Sequence, residues 1–400
     1  MEMHLKRLPL IAILVLPLLA VCASPAYAFV LGEPASLVPD TDNYNTSKSN
    51  TGNLVVTDFF NNRVLMYKTP FSTGEAASLV IGQTSFTTAI AGTSATRLRG
   101  PEGIAFDGKG ILGNLVSNLW IADSLNNRVL MYKAPFSTGE AASLVIGQTS
   151  FTSGTPGTTA TTLNTPDGVA FDASGNLWVA DEMNNRILMY KPPFSTGEAA
   201  SFVIGQTSFT TKICATSATR LCEPSGIAFD ADGNLWIADL MNNRVLMFAP
   251  PFIAASLVIG QTSFAGFACA TTVTGLCEPS GVAFDASGNL WVADFFNNRV
   301  LMYTTPFSTG EAASLVIGQT SFTTAIAGTS ATRLRGPEGG VFDGKGNLWL
   351  VDAENNRVLM YSPSPATGLF STFEAASLVI GQGSFTSGTA GTTATTLDGV

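Results

Sequence analysis

From Leu54 onward the chain alternates short apolar runs with breaks rich in Gly, Pro, Asn and Asp. The third copy of this pattern serves as the model. It reads Gly168-Val-Ala-Phe-Asp172, then Asn176-Leu-Trp-Val-Ala-Asp181, Arg186-Ile-Leu-Met-Tyr190 and Ser201-Phe-Val-Ile-Gly205. Runs this short and this rich in Val, Ile, Trp and Tyr predict strands. The Asp172–Gly175 link predicts a tight hairpin, because glycine supplies the positive φ that such a turn needs. Leu177, Trp178 and Val179 are consecutive apolar residues, as are Leu188 and Met189. A strand apolar at successive positions is buried on both faces.

The motif Asn-Leu-Trp-Val-Ala-Asp-x-x-Asn-Asn-Arg-Val-Leu-Met-Tyr recurs six times, starting at Asn53, Asn118, Asn176, Asn234, Asn289 and Asn347. A near-constant period of this size marks a repeat architecture. Four-stranded antiparallel sheets, covered on both faces and repeated six times, describe an all-β, six-bladed β-propeller. A β-solenoid is the alternative, but it has shorter coils and fewer hairpins.

The pattern Pro-x-Gly-(Val/Ile)-Ala-Phe-Asp, then Gly-Asn-Leu-Trp-(Val/Ile)-Ala-Asp and Asn-Asn-Arg-(Val/Ile)-Leu, resembles the NHL repeat from about Gly52 to Gly383. The resemblance implies a propeller, commonly six-bladed. It leaves function open, since the family includes lyases, RNA binders, receptor ectodomains and many exported proteins. Two registers would close the ring. Either Ser36–Asp40 forms the first inner strand, or Phe29-Val-Leu-Gly-Glu33 is a fourth strand and Asp398-Gly-Val400 begins the matching inner strand. The last repeat is incomplete.

The N-terminus changes the picture of location. Lys6 and Arg7 precede an apolar stretch from Leu8 to Val21, and Ala26-Tyr27-Ala28 is a small-x-small cleavage site. Residues 1–28 therefore read as a signal peptide, and 29–400 as one propeller domain. The expected location is secreted: extracellular, periplasmic or at the cell surface. No membrane span is expected after cleavage. Removing Glu2, Lys6 and Arg7 leaves 18 basic and 28 acidic residues, so no nucleic-acid partner is expected. The sole histidine, His4, lies in the signal, so a conventional Ser-His-Asp triad is impossible.

The repeated Asp-x-x-Asn-Asn-Arg turn pairs Asp58 with Arg63, Asp123 with Arg128, Asp181 with Arg186, Asp239 with Arg244, Asp294 with Arg299 and Asp352 with Arg357. Residues needed once for chemistry need not recur six times, so these read as structural turn residues. Hairpins such as Asp230-Ala-Asp-Gly-Asn234 lack the length and final Glu of a calcium loop. Cys214 and Cys222 lie eight apart, as do Cys269 and Cys277 in the equivalent loop of the next repeat. Both positions are replaced together around Ala91–Arg99, which predicts disulfides Cys214–Cys222 and Cys269–Cys277.

Variation concentrates in the two residues after each repeat aspartate. Phe59, Phe60, Leu125, Glu182, Met183, Leu240, Met241, Phe295, Phe296 and Glu354 form a candidate binding rim on the face of the long connections. Residues 58–110 and 294–346 match at all but three positions, which fits an asymmetric active site poorly. The expected function is a binding scaffold for a protein, glycan or cell-surface polymer. The expected form is a monomer without catalytic residues, metal or other cofactor. The alternative is a metal-dependent lactonase- or lyase-like propeller with a carboxylate site at the central channel. Glu182 and Glu354 are its odd acids, and calcium or magnesium its suitable ions.

Overall fold

The computed structural model describes residues 29–31, 53–107 and 117–400. The expected signal peptide, residues 1–28, lies outside the described residues, as do the 36–40 strand register and all but Ser117 of the 111–117 insert. The chain forms six four-stranded antiparallel sheets, each in simple sequence order. In the third blade, β9 (Pro166–Phe171), β10 (Leu177–Asp181), β11 (Arg186–Tyr190) and β12 (Phe202–Ile204) run from the channel outward. The other inner strands are β1 (Phe29–Leu31), β5 (Pro101–Phe106), β13 (Pro224–Phe229), β17 (Pro279–Phe284) and β21 (Pro337–Phe342). Each inner strand lies against the next, and β1 lies between β5 and β21, so the ring is closed. Phe29–Leu31 pairs with Leu54–Val56 as an inner strand, which corrects the fourth-strand reading of that segment.

The core lies between blades. One cluster joins Trp178, Ala180 and Ile187 of the third blade to Ile227, Leu235 and Ile237 of the fourth. Trp178 is 1% exposed and packs edge-on against Phe229 and Phe252, with ring centroids 5.7 and 5.0 Å away. Its indole N–H donates to the Asp172 carboxylate at 2.9 Å, and Asp172 also accepts the backbone N–H of Asn176 at 2.9 Å. The hairpin aspartate thus satisfies a buried tryptophan and closes its own turn.

At the opposite end of the blade the Asp-x-x-Asn-Asn-Arg sequence folds into a buried knot. Asp181 accepts from Arg186 Nε at 2.6 Å, from Asn184 Nδ2 at 2.9 Å and from the Asn164 backbone N–H at 2.7 Å. Arg186 also donates to the carbonyls of Thr159 and Thr162, in the connection arriving from the second blade, and to Phe209, in the connection leaving the third. Asn185 has φ 56°, a left-handed conformation that asparagine tolerates well. Its side chain donates to Lys212 and accepts from the Glu223 N–H. One knot therefore ties together two blade connections.

The first blade uses the chain's far end in the same way. Arg63 donates to the carbonyls of Thr393 and Thr396, and Asp58 accepts from the Asp398 N–H at 2.8 Å. The C-terminal connection closes the ring by docking on the first knot.

Replacing Arg186 with Met leaves Asp181 buried without its cation, a loss of about 3–5 kcal/mol in urea unfolding. Tyr190→Phe should cost nothing in the same measurement. The Tyr190 hydroxyl is buried without a hydrogen-bond partner among the described residues, and the fourth blade already carries Phe248 at that place.

Candidate functional site

The second residue of each described Pro-x-Gly inner strand faces the channel at the end where the blade connections lie. Going round the ring, β5 to β21 present Glu102, Asp167, Ser225, Ser280 and Glu338, all of them buried. The glycine that follows explains how tightly this collar is drawn. A Cβ on Gly168 would run into the carbonyl oxygen of Ser225, and one on Gly226 into that of Ser280. Glycine is required for this close approach. Ser225 and Ser280 span the seams, their hydroxyls donating to the carbonyls of Ser280 and Pro337 at 3.0 and 3.1 Å.

Glu182 reaches the same place from the 3₁₀ turn Glu182–Asn184, which contacts β9. Ligand oxygens of Glu102, Asp167 and Glu182 lie within 4.8 Å of one another, and all three side chains are buried. Neither carboxylate oxygen of Asp167 has a hydrogen-bond partner among the described residues. Burial pushes the Asp167 carboxyl well above the usual carboxylate range, and the charges of Glu102, Glu182 and Glu338 push it further. Glu102 is raised well above its ordinary value by burial and by Glu182, with the Ser124 hydroxyl acting against the shift. Three mutually repelling buried carboxylates with oxygen-only donors suit a hard divalent cation such as Ca²⁺, Mg²⁺ or Mn²⁺.

The candidate rim divides in two. Its first positions turn inward: Phe59, Glu182 and Leu240 are buried and Phe295 is half-buried. Its second positions face outward: Phe60, Leu125, Met183, Phe296 and Glu354 are exposed, and Met241 is half-buried. Glu354 forms an exposed ion pair with Arg335 at 2.8 Å and takes no part in the acidic cluster. The six repeat Asp–Arg pairs are each within 2.7 Å and fully buried, far from any role in an open site. Both loop disulfides, Cys214–Cys222 and Cys269–Cys277, are formed. Cys222 and Cys277 donate their backbone N–H groups to Asp239 and Asp294, so each staple is anchored to a knot.

Sequence reasoning missed Glu102, Asp167 and Glu338. Their signal was present at the x of Pro-x-Gly, where a polar residue interrupts an apolar strand in every copy. The five occupants are three acids and two serines, so the repeat does not fix this position, which is what an asymmetric site needs.

The NHL repeat pattern matches residues 221–248 and 276–303, in the fourth and fifth blades. The chain thus carries NHL repeats in a six-bladed β-propeller. Over 81 residues it is 31% identical to peptidyl-alpha-hydroxyglycine alpha-amidating lyase 2 of Drosophila melanogaster, a stretch covering 20% of this chain and 19% of that one. Solved structures of similar fold include an inactive variant of virginiamycin B lyase from Staphylococcus aureus with quinupristin. That match has 14% identity, covers 86% of this chain and 87% of the other, and has a TM-score of 0.45. The nidogen/laminin complex also contains such a propeller, with 17% identity over 82% of this chain and 97% of that one, and a TM-score of 0.46. These structures show likeness of fold alone.

The expectation that the propeller is not an enzyme is corrected by the local sequence match to a lyase. The physical ground for that expectation also fails. Near-identical blades coexist here with an acidic cluster that only the second and third blades supply among the described residues.

The raised carboxyls have a consequence for stability. A carboxyl whose folded pKa lies above its unfolded value stabilises the fold fully below the unfolded value, and that contribution is lost as pH rises through the folded one. Burial also holds Asp58, Asp181 and Asp352 up at about 6 despite their arginines, so they act in the same direction. Chelator-treated protein should therefore lose melting temperature as pH rises from about 4, the unfolded carboxylate value, through about 6. Asp167→Asn should flatten that slope in a calorimetric pH series.

Proposed function

We propose that this propeller is an exported, metal-dependent enzyme of lyase or lactonase type, with its cation held by Glu102, Asp167 and Glu182 at the channel mouth. The observation that carries this reading is the buried acidic triad, in which both Asp167 oxygens lie among other carboxylates with no hydrogen-bond partner among the described residues. Burying charge without compensation is costly, and a divalent cation offsets that cost directly. When bound, such a cation supplies Lewis-acid polarisation of a substrate oxygen.

The chain's own groups complete the site. Glu338 lies close enough for its charge to act on Asp167 yet outside the ligand triad, so it is the group placed to take up or return a proton. The Ser225 and Ser280 hydroxyls hold the opposite seams closed, which keeps the collar narrow and limits access of water from that side. The two disulfides support export, because such bonds persist in oxidising compartments. No helix among the described residues is long and apolar enough to cross a membrane.

Titration with Mn²⁺, followed by electron paramagnetic resonance and calorimetry, tests the site. One saturable site is expected. Asp167→Asn should weaken it at least about tenfold, equivalent to about 1.4 kcal/mol. Glu354→Gln, remote from the triad, should leave it unchanged. Ring opening of lactones or an elimination reaction should be sensitive to chelator and absent in Asp167→Asn. Absence of saturable binding by Ca²⁺, Mg²⁺ and Mn²⁺ would overturn the reading.

A further inference from the structure

The channel mouth is chemically lopsided, and the lopsidedness points to a substrate class. The residue following each repeat aspartate stands on a 3₁₀ turn in blades two to six, and each of those turns contacts its own inner strand. Glu182 shows how far such a side chain reaches, since its carboxylate joins the triad. Round the ring these positions hold Phe59, Ser124, Glu182, Leu240, Phe295 and Ala353. Blades two and three therefore place Ser124 and Glu182 beside Glu102 and Asp167. The other four turn positions, Phe59, Leu240, Phe295 and Ala353, are apolar.

On blades one and five the apolar surface continues outward without a break. Phe59 is buried and meets Phe60, 44% exposed, with centroids 5.1 Å apart. Phe295 meets Phe296, 54% exposed, at 6.0 Å. Aromatic side chains thus lead from these turns to the surface on blade one, which adjoins the blade of Glu102, and on blade five.

A cation completes the lip. Arg99 is exposed, three residues before Glu102, and its side chain has no ion-pair partner among the described residues. Its counterpart Arg335 is held by Glu354 at 2.8 Å. The difference lies in the turn, where the second blade has Leu125 and the sixth has Glu354. The one basic group left unpaired in this pair of positions stands on the blade that supplies Glu102.

We infer that the substrate is an amphiphilic organic acid. Its oxygen-bearing reacting group lies at Glu102, Asp167 and Glu182, a second acidic group meets Arg99, and its apolar arm runs out over Phe295–Phe296 and Phe59–Phe60. This inference rests on the cation site proposed above. An acidic group paired with Arg99 favours anions despite the protein's acidic balance. The aromatic track rewards length in the arm, since each methylene buried gains affinity.

The test uses the Mn²⁺-loaded full chain and a homologous series of 2-alkylsuccinates, from ethyl to octyl, titrated calorimetrically. Affinity should rise about fourfold per added methylene. The double variant Phe60→Ser, Phe296→Ser alters exposed positions and should flatten that series with Mn²⁺ uptake unchanged. Arg99→Gln should weaken every member about five- to tenfold and keep the gain per methylene. Affinity independent of chain length on Mn²⁺-loaded protein, or an Arg99→Gln variant that binds as the parent does, would overturn the inference while the cation site stands. A parent protein that takes up no Mn²⁺ would remove the site itself, and the inference with it.

Discussion

The buried Asp–Asn–Arg knot is the constraint on which the rest of this propeller depends. An Asp and an Arg removed from water are favourable together only when their remaining hydrogen-bonding capacity is filled. Here it is filled by the backbone of two connections: Arg186 takes carbonyls at Thr159, Thr162 and Phe209, and Asp181 takes the N–H of Asn164. The pair therefore cannot form until the connections on either side are in place. Repeated six times, and completed on the first blade by residues near the C-terminus, this requirement couples local turn formation to closure of the ring.

The same knot creates the functional surface. Because the aspartate ends the second strand and the second asparagine adopts a left-handed φ, the two variable residues that follow the aspartate are forced into opposite environments. The first is directed to the channel and the second to solvent. Glycines in the inner strands draw the blades together at that level, so side chains on neighbouring strands come within reach of one another. Repeated residues build this frame, and the chemistry is left to positions that the repeat does not specify. Sixfold pseudosymmetry and a single asymmetric site are compatible for that reason. Two nearly identical segments differ little in themselves, yet Glu102 and Glu338 have different neighbours, because only Glu102 shares the triad with Asp167 and Glu182.

Much of the architecture was legible in the sequence. Short apolar runs, the hairpin Asp and Gly, and the period of the repeat lead to six four-stranded blades, because each follows from local backbone chemistry and from the need to bury both faces of a strand. The loop disulfides were legible as well, since paired cysteines came and went together between copies. Glu182 stood out as the one acid among its equivalents. Its partners did not, because Glu102 and Asp167 are 65 residues apart along the chain and sit in the most regular part of the motif. Attention to letters that repeat passes over a polar letter that varies within the frame.

The sequence by itself thus determined the blade, its turns and the number of copies, all of which depend on residues within one period. Tertiary structure alone decided which end of the inner strands is crowded, which of the variable residues turn inward, and that three acids from two blades share one buried volume. Those outcomes depend on how blades meet round a closed ring. Contacts across that ring are set by the approach of backbones at glycine and by the knots that anchor each connection, and no local pattern along the chain encodes the distance between two carboxylates on neighbouring blades.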